Sequence, residues 1–460
     1  MTEPRRETIR GRGRGSWRRS RKSRADAEPS APAVGPLLST ITREDLDSNI
    51  TSSSGKEFSM ITDCRLVGSY NWLNRKSPTI LVPGAPPEWT PTGTSERLPQ
   101  DKGTYFRDQN SARYAAHVFQ PAANSILNQD PDFDFTQIDI VACNKPDKQF
   151  RFIVEAVGST VFFVRRENSP TQALSNVVGF GHTFPEANTT WGSDVKGSES
   201  HQRILQYRFA GLSCLVRYGG DGYLPQLYQP HGPRREPAAT APDDLLASFN
   251  QVSVSTVSPE GEQALRVESG GELVPQSAMF DLKTRSATKQ YSNILRDELP
   301  RLWISQIPNF VVGFHTDGEF HDVRVEDVRE EVRKWEERNE VQLRKLSTLM
   351  KLLIEFADGQ PNRRFEVVYN GTDGNGELEL REVGDEVNCC LSDVMKRRWA
   401  AGYLDGRGKE KKDEREEVDD AGQSKHIERE DSEWSGESES EKDFTACSAS
   451  TCGYCGHCAY

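Results

Sequence analysis

No run of 18 apolar residues occurs in this 460-residue chain, which argues against a membrane-spanning helix. The first residues carry charge without the hydrophobic segment of a secretory signal. Cysteine is sparse, with nine in total, and Cys64, Cys143, Cys214, Cys389 and Cys390 are scattered without a pairing pattern. That usage fits free thiols in a reducing compartment, so the chain is expected to be intracellular, nuclear or cytoplasmic. Aspartate-rich Asp-Asp-x-x-Asp repeats, which bind diphosphates through Mg²⁺ in prenyl synthesis, are missing. Asp243-Asp244 and Asp419-Asp420 both lack the third acid. Basic excess is lacking too: the formal net charge is −12. A chain so acidic is not a general phosphate binder, and a nucleic acid must enter a local groove or be held by a basic segment.

One basic segment is present. Residues 1–24 hold ten Lys or Arg against two Glu, with the alternation Arg10-Gly11-Arg12-Gly13-Arg14 and no apolar periodicity. Residues 405–446 hold 16 acids and eight Lys or Arg, again with no core-forming pattern. The expected organisation is therefore a disordered basic arm over 1–39, one folded domain over 40–404, a disordered charged tail over 405–446 and a Cys-rich C-terminus over 447–460. The tail spacing Cys447-x4-Cys452-x2-Cys455-x2-Cys458 is compatible with Zn²⁺, although a closed zinc site normally draws on two separated knuckles.

Within the folded span, residues 150–155 and 160–165 read as a hairpin of branched and aromatic residues around Gly158. Gln206–Arg217 reads as two strands, or one bulged strand, ending at Gly219-Gly220-Asp221-Gly222. Pro83–Arg97 is expected to be irregular and to wrap a surface. Tyr291–Gln306 looks helical with Pro300 as an interruption, and 310–314 looks like a buried strand. Residues 322–356 read as one or two amphipathic helices whose core stripe includes Val325, Val328, Trp335 and Leu343.

The chemistry concentrates at Met279-Phe280-Asp281-Leu282-Lys283-Thr284-Arg285. On a strand, Asp281 and Lys283 project together while Phe280 and Leu282 point the other way into a core. A carboxylate can hold a divalent cation, and an adjacent ammonium can orient water or neutralise a developing phosphorane. Acid-x-base triplets are common, since random order would give roughly nine in a chain of this composition, so the pair needs corroboration. Corroboration comes from Gly179-Phe180-Gly181-His182-Thr183-Phe184-Pro185-Glu186, from Asp221 and from Trp303-Ile304-Ser305-Gln306. His182 and His201 are read as structural.

In this order the motifs resemble the DXO family of decapping nucleases. That family carries a Gly-aromatic-x-Phe-Glu motif, then Glu-x-Asp, then Glu-x-Lys-Thr, then a Trp-x-x-Gln helix and a Val-rich strand ending Gly-Phe. The matching residues here are Glu186, Asp221, Asp281 with Lys283-Thr284, and Trp303 with Gln306, before Val311-Val312-Gly313-Phe314. The resemblance spans roughly residues 135–400. It implies an α/β (α+β) fold with a restriction-endonuclease-like mixed sheet core and flanking helices. It also implies two Mg²⁺ or Mn²⁺ ions on Glu186, Asp221 and Asp281, with Lys283 and Gln306 positioning water and substrate. The implied activity is metal-dependent hydrolysis at RNA 5′ ends: decapping, pyrophosphohydrolysis or 5′–3′ exonuclease action. Implied partners are an RNA 5′ end and a 5′–3′ exoribonuclease.

The chain departs from that pattern at three places. Gly219-Gly220-Asp221 stands where the family has Glu-x-Asp, Asp281 is one methylene shorter than Glu, and the segment around Asn144 is short, without the family's arginine-bearing first motif. A two-metal site that loses a carboxylate holds its second ion less well. The alternative is therefore a catalytically weakened DXO-like protein that binds RNA or a partner exoribonuclease.

Overall fold

A computed structural model of the chain describes residues 33–52, 59–93, 97–102, 105–106, 109–144, 151–166, 173–174, 179–228, 264–369, 377–384 and 389–406. The basic arm, nearly all of the charged tail and the Cys447–Cys458 zinc candidate lie outside the described residues. The architecture is mixed α/β, built on two large sheets. Eleven strands form the larger. In spatial order they are Leu37–Ile41, Leu378–Arg381, Arg364–Tyr369, Arg151–Val157, Thr160–Arg165, Ile140–Cys143, Leu212–Gly220, Ser198–Phe209, Ile61–Leu73, Thr79–Pro83 and Arg266–Gly270. Six form the smaller: Thr189–Thr190, Glu88–Trp89, Gly222–Tyr223, Met279–Ser286, Asn309–Thr316 and Glu319–Asp327.

Both faces of the larger sheet are covered, and strand alternation decides which residue goes where. Ile204, Leu215 and Val141 point to one face, where Phe119, Ile126 and Trp399 of the covering segments meet them. Their neighbours Leu205, Val216 and Ile140 point to the other, against Leu302 and Trp303 of the helix Ile294–Ser305 and Leu343 of the helix Glu340–Gly359. The expected hairpin is present as Arg151–Val157 and Thr160–Arg165. Gln206–Arg217 resolves into two strands turned at Ala210-Gly211.

Three expectations need correction. The 83–97 segment is not a surface wrap: Gly84 to Pro87 are buried, and Glu88–Trp89 is a strand whose Trp89 packs on Phe280. Val325 is not core, because residues 319–327 form an edge strand of the smaller sheet that leaves it 44% exposed; the helices begin only at Arg329. Pro300 does not interrupt its helix, whose C-terminal half is held by the burial of Arg301, Leu302, Trp303 and Ser305.

The chain passes between the two sheets most abruptly at one residue. Gly220 ends a strand of the larger sheet and Gly222 begins one of the smaller, leaving Asp221 at the seam. Both glycines sit in close contact there. A Cβ at Gly222 would lie 2.4 Å from Phe280 Cζ and 2.9 Å from the Pro87 carbonyl oxygen, and one at Gly220 would lie 2.6 Å from Met279 Cε. Close approach of the two backbones thus places Asp221 directly against the Met279–Ser286 strand.

Candidate active site

The Met279–Ser286 strand pairs in parallel with Asn309–Thr316, Asp281 opposite Phe310 and Leu282 opposite Val311. As alternation requires, Phe280 and Leu282 enter one core with Trp89, Phe184 and Val311. Asp281, Lys283 and Arg285 share the other face, which is roofed by the helix Ile294–Ser305. Nothing on that face is open to bulk water: Asp281 is 2% exposed and Lys283 1%.

What meets these side chains is charge. Arg301 bonds Asp281 directly and reaches Glu298 at 3.1 Å, one helical turn back. Lys283 Nζ lies 3.8 Å from the same Glu298, and Arg285 lies 3.2 Å from it. Asp221 joins from the seam, its Oδ2 accepting the Leu282 N–H at 2.8 Å. Three acids (Asp221, Asp281, Glu298) therefore gather with three bases (Lys283, Arg285, Arg301).

The titration of these groups follows from that arrangement. The Asp281 carboxyl is pushed up to about 7, burial being the largest cause; Asp221 and Glu298 add to the rise, and Arg301 and Lys283 oppose it. Burial also works to raise Glu298, but Lys283, Arg301 and Arg285 together outweigh it and hold its carboxyl down at about 2. Arg301 is held protonated above its ordinary range, its burial more than offset by Asp281 and Glu298.

The remaining candidates make other contacts. Glu186 lies on the short helix Thr183–Asn188 and is exposed. Partial burial and the charge of Asp101 raise its pKa. Asp101 itself accepts the backbone N–H groups of His182 and Thr183 at the start of that helix. Glu186 is not among the charges that shift Asp281. Gln306 does not share a helical face with Trp303, because the helix closes at Ser305 and Gln306 turns left-handed at φ 48°. Its side-chain amide folds back to donate to the Trp303 carbonyl at 2.6 Å and lines a different cavity. His201 is structural, as expected: it is buried and its Nδ1 sits 2.6 Å from Asn71 Oδ1. His182 stacks on Tyr105.

The partners that sequence reasoning missed are Arg285, Glu298 and Arg301. Arg285 continues the every-second-residue pattern of 281 and 283. Glu298 and Arg301 are an acid and a base three apart on a helix, a pattern too common to single out without the fold.

A two-ion centre does not fit these donors. Among the described residues no group of three or more His, Cys, Asp or Glu is placed to hold a metal ion. Asp281 is committed to Arg301 and Asp221 to a backbone N–H. A pair of divalent cations needs an excess of negative oxygen ligands, and here Asp281 and Glu298 are each paired with internal cations.

A family profile described as Domain of unknown function (DUF8563) matches residues 44–399. The chain belongs to this family. No curated protein matches it. Solved structures similar to this DUF8563 chain include Rai1 of S. pombe in complex with 3′-FADP, 11% identical with a TM-score of 0.45, covering 76% of this chain and 100% of that one. Dxo1 of K. lactis in complex with manganese is 10% identical, with a TM-score of 0.41, over 78% of this chain and 96% of that one. Rai1 of Candida albicans in complex with pU5-Mn²⁺ is 9% identical, with a TM-score of 0.43, over 75% and 96%. At these identities and scores the likeness assigns no role to any residue of this chain.

Proposed function

We propose that the chain is a DXO-like protein that binds RNA 5′ ends, or a partner exoribonuclease, without two-metal hydrolysis. The ordered motifs support the family reading. The observation that carries the loss of chemistry is the buried network in which Arg301 takes Asp281 and helix Ile294–Ser305 covers Lys283. Gly219, standing where the motif has a carboxylate, points the same way. Such a network orders the seam between the sheets and commits Asp281 to Arg301 instead of leaving it open as a ligand.

The test is incubation of capped and 5′-triphosphate RNA with Mn²⁺ and either the native chain or an Asp281→Ala variant. Equal, background-level product from both is expected, together with RNA binding by the native chain. Product that requires both Asp281 and Mn²⁺ would instead establish the second reading, an active hydrolase. One observation favours that alternative: the charge of Asp221 reaches Asp281, and Asp221 accepts the N–H of the adjoining Leu282.

A further inference from the structure

A cavity of about 340 Å³ opens beside the C-terminal end of helix Ile294–Ser305, between the start of strand Ile61–Leu73 and helix Arg329–Arg338. Glu336 borders it and is only 7% exposed. Its Oε1 accepts two N–H groups, the Ile61 backbone at 2.8 Å and the Trp303 indole at 2.7 Å. Its Oε2 accepts from no described residue, and no described Lys, Arg or His forms an ion pair with it. A carboxylate so placed is short of donors on the side that faces the cavity.

The other polar groups of the cavity sharpen the requirement. Gln306 uses one of its two amide N–H groups on the Trp303 carbonyl, and its oxygen accepts from no described residue. Gln276 is used at both ends: its oxygen accepts Arg203 and Tyr218, and its nitrogen donates to the carbonyls of Ser305 and Gln306. Of the arginines at the mouth, Arg329 pairs with Asp327 and Arg333 with Glu330 and Glu337, while Arg65 donates to the neutral Gln206 amide. The Glu336 carboxylate and the Gln306 oxygen thus stand as acceptors beside the apolar walls of Trp303, Ile307, Pro308 and Val332. A ligand that fits must be flat, cationic and rich in N–H.

We propose that this cavity binds a guanidinium group, with Glu336 as its counter-ion and the Gln306 carbonyl as a second acceptor. The volume suits one such group and its alkyl stem, and a planar N–H fork matches a carboxylate better than an ammonium does. The site is independent of the function proposed above.

Calorimetric titration of the full chain with methylguanidine, with N-acetyl-Gly-Arg-Gly-amide and with the same peptide carrying citrulline tests it. Saturable binding of the two guanidinium probes is expected, with the neutral citrulline peptide at least ten-fold weaker. Tighter binding of the arginine peptide than of methylguanidine identifies a polypeptide as the source; equal binding identifies a free cation, and both outcomes uphold the site. Glu336→Gln keeps an oxygen for the Ile61 and Trp303 N–H groups and should weaken both probes at least ten-fold. Val332→Phe, which narrows the cavity and leaves Glu336 in place, provides a second variant with the same expected loss. Absence of saturable binding to the native chain, or unchanged affinity in both variants, overturns the proposal.

Discussion

At the scale of single residues, the centre of the molecule is governed by Glu298, which touches all three bases of the buried network. Its folded pKa of about 2 lies below the unfolded value near 4.5, so the folded state binds its proton less readily. The resulting stabilisation is complete above the unfolded pKa and is lost as pH falls from about 4.5 through 2. Native protein unfolded by urea across that window should lose stability steadily with acid. Glu298→Gln should start less stable, because it leaves Lys283 and Arg301 under-compensated, and should lose far less between those pH values. A variant that kept the full native slope would place the titration elsewhere.

At the scale of elements, the seam Gly220-Asp221-Gly222 joins a strand of each sheet. The two glycines do not have equal demands. At Gly222 an added methyl meets the ring of Phe280 and the Pro87 carbonyl, neither of which can yield cheaply inside a packed core. At Gly220 it meets the flexible end of Met279. Gly222→Ala is expected to cost about 1–3 kcal/mol in thermal or denaturant unfolding, with Gly220→Ala costing clearly less. Equal costs would show that backbone freedom, not the approach of the two strands, is what these glycines supply. The same element explains why Asp221 looks like a turn residue in sequence and yet belongs to the buried network. Its role is set by the strand it lands against.

At the scale of the whole molecule, charge is segregated along the chain. The arm over residues 1–24 has ten Lys or Arg against two Glu, within a chain of net −12. If RNA is held by that arm, its release of counterions should dominate the salt dependence, with a slope of roughly −0.7 per phosphate neutralised on single strands. Deleting residues 2–24 should therefore weaken RNA binding at low salt and flatten the plot of log K against log salt. An unchanged slope would mean that the folded body makes the phosphate contacts itself. No helix among the described residues is long and apolar enough to cross a membrane.

Much of this protein was legible from residue order alone. The 2.0-residue alternation of Phe280-Asp281-Leu282-Lys283 settles that the apolar pair and the charged pair part company, and the hairpin about Gly158 follows from branched and aromatic runs around a turn. These are local properties, carried by backbone geometry and side-chain type. Residue order could not say what would roof the charged face. Whether Asp281 meets a cation of the chain or one from solution depends on helix Ile294–Ser305, twenty residues onward, folding back to bring Arg301 onto it. The same holds for Gln306, whose αL turn at the helix end aims its amide away from the acids, and for Glu336, a helix acid like its neighbours until the start of strand Ile61–Leu73 closes over it. In each case the deciding partner is distant in sequence, and only the packing of sheets and helices determines which charge is neutralised.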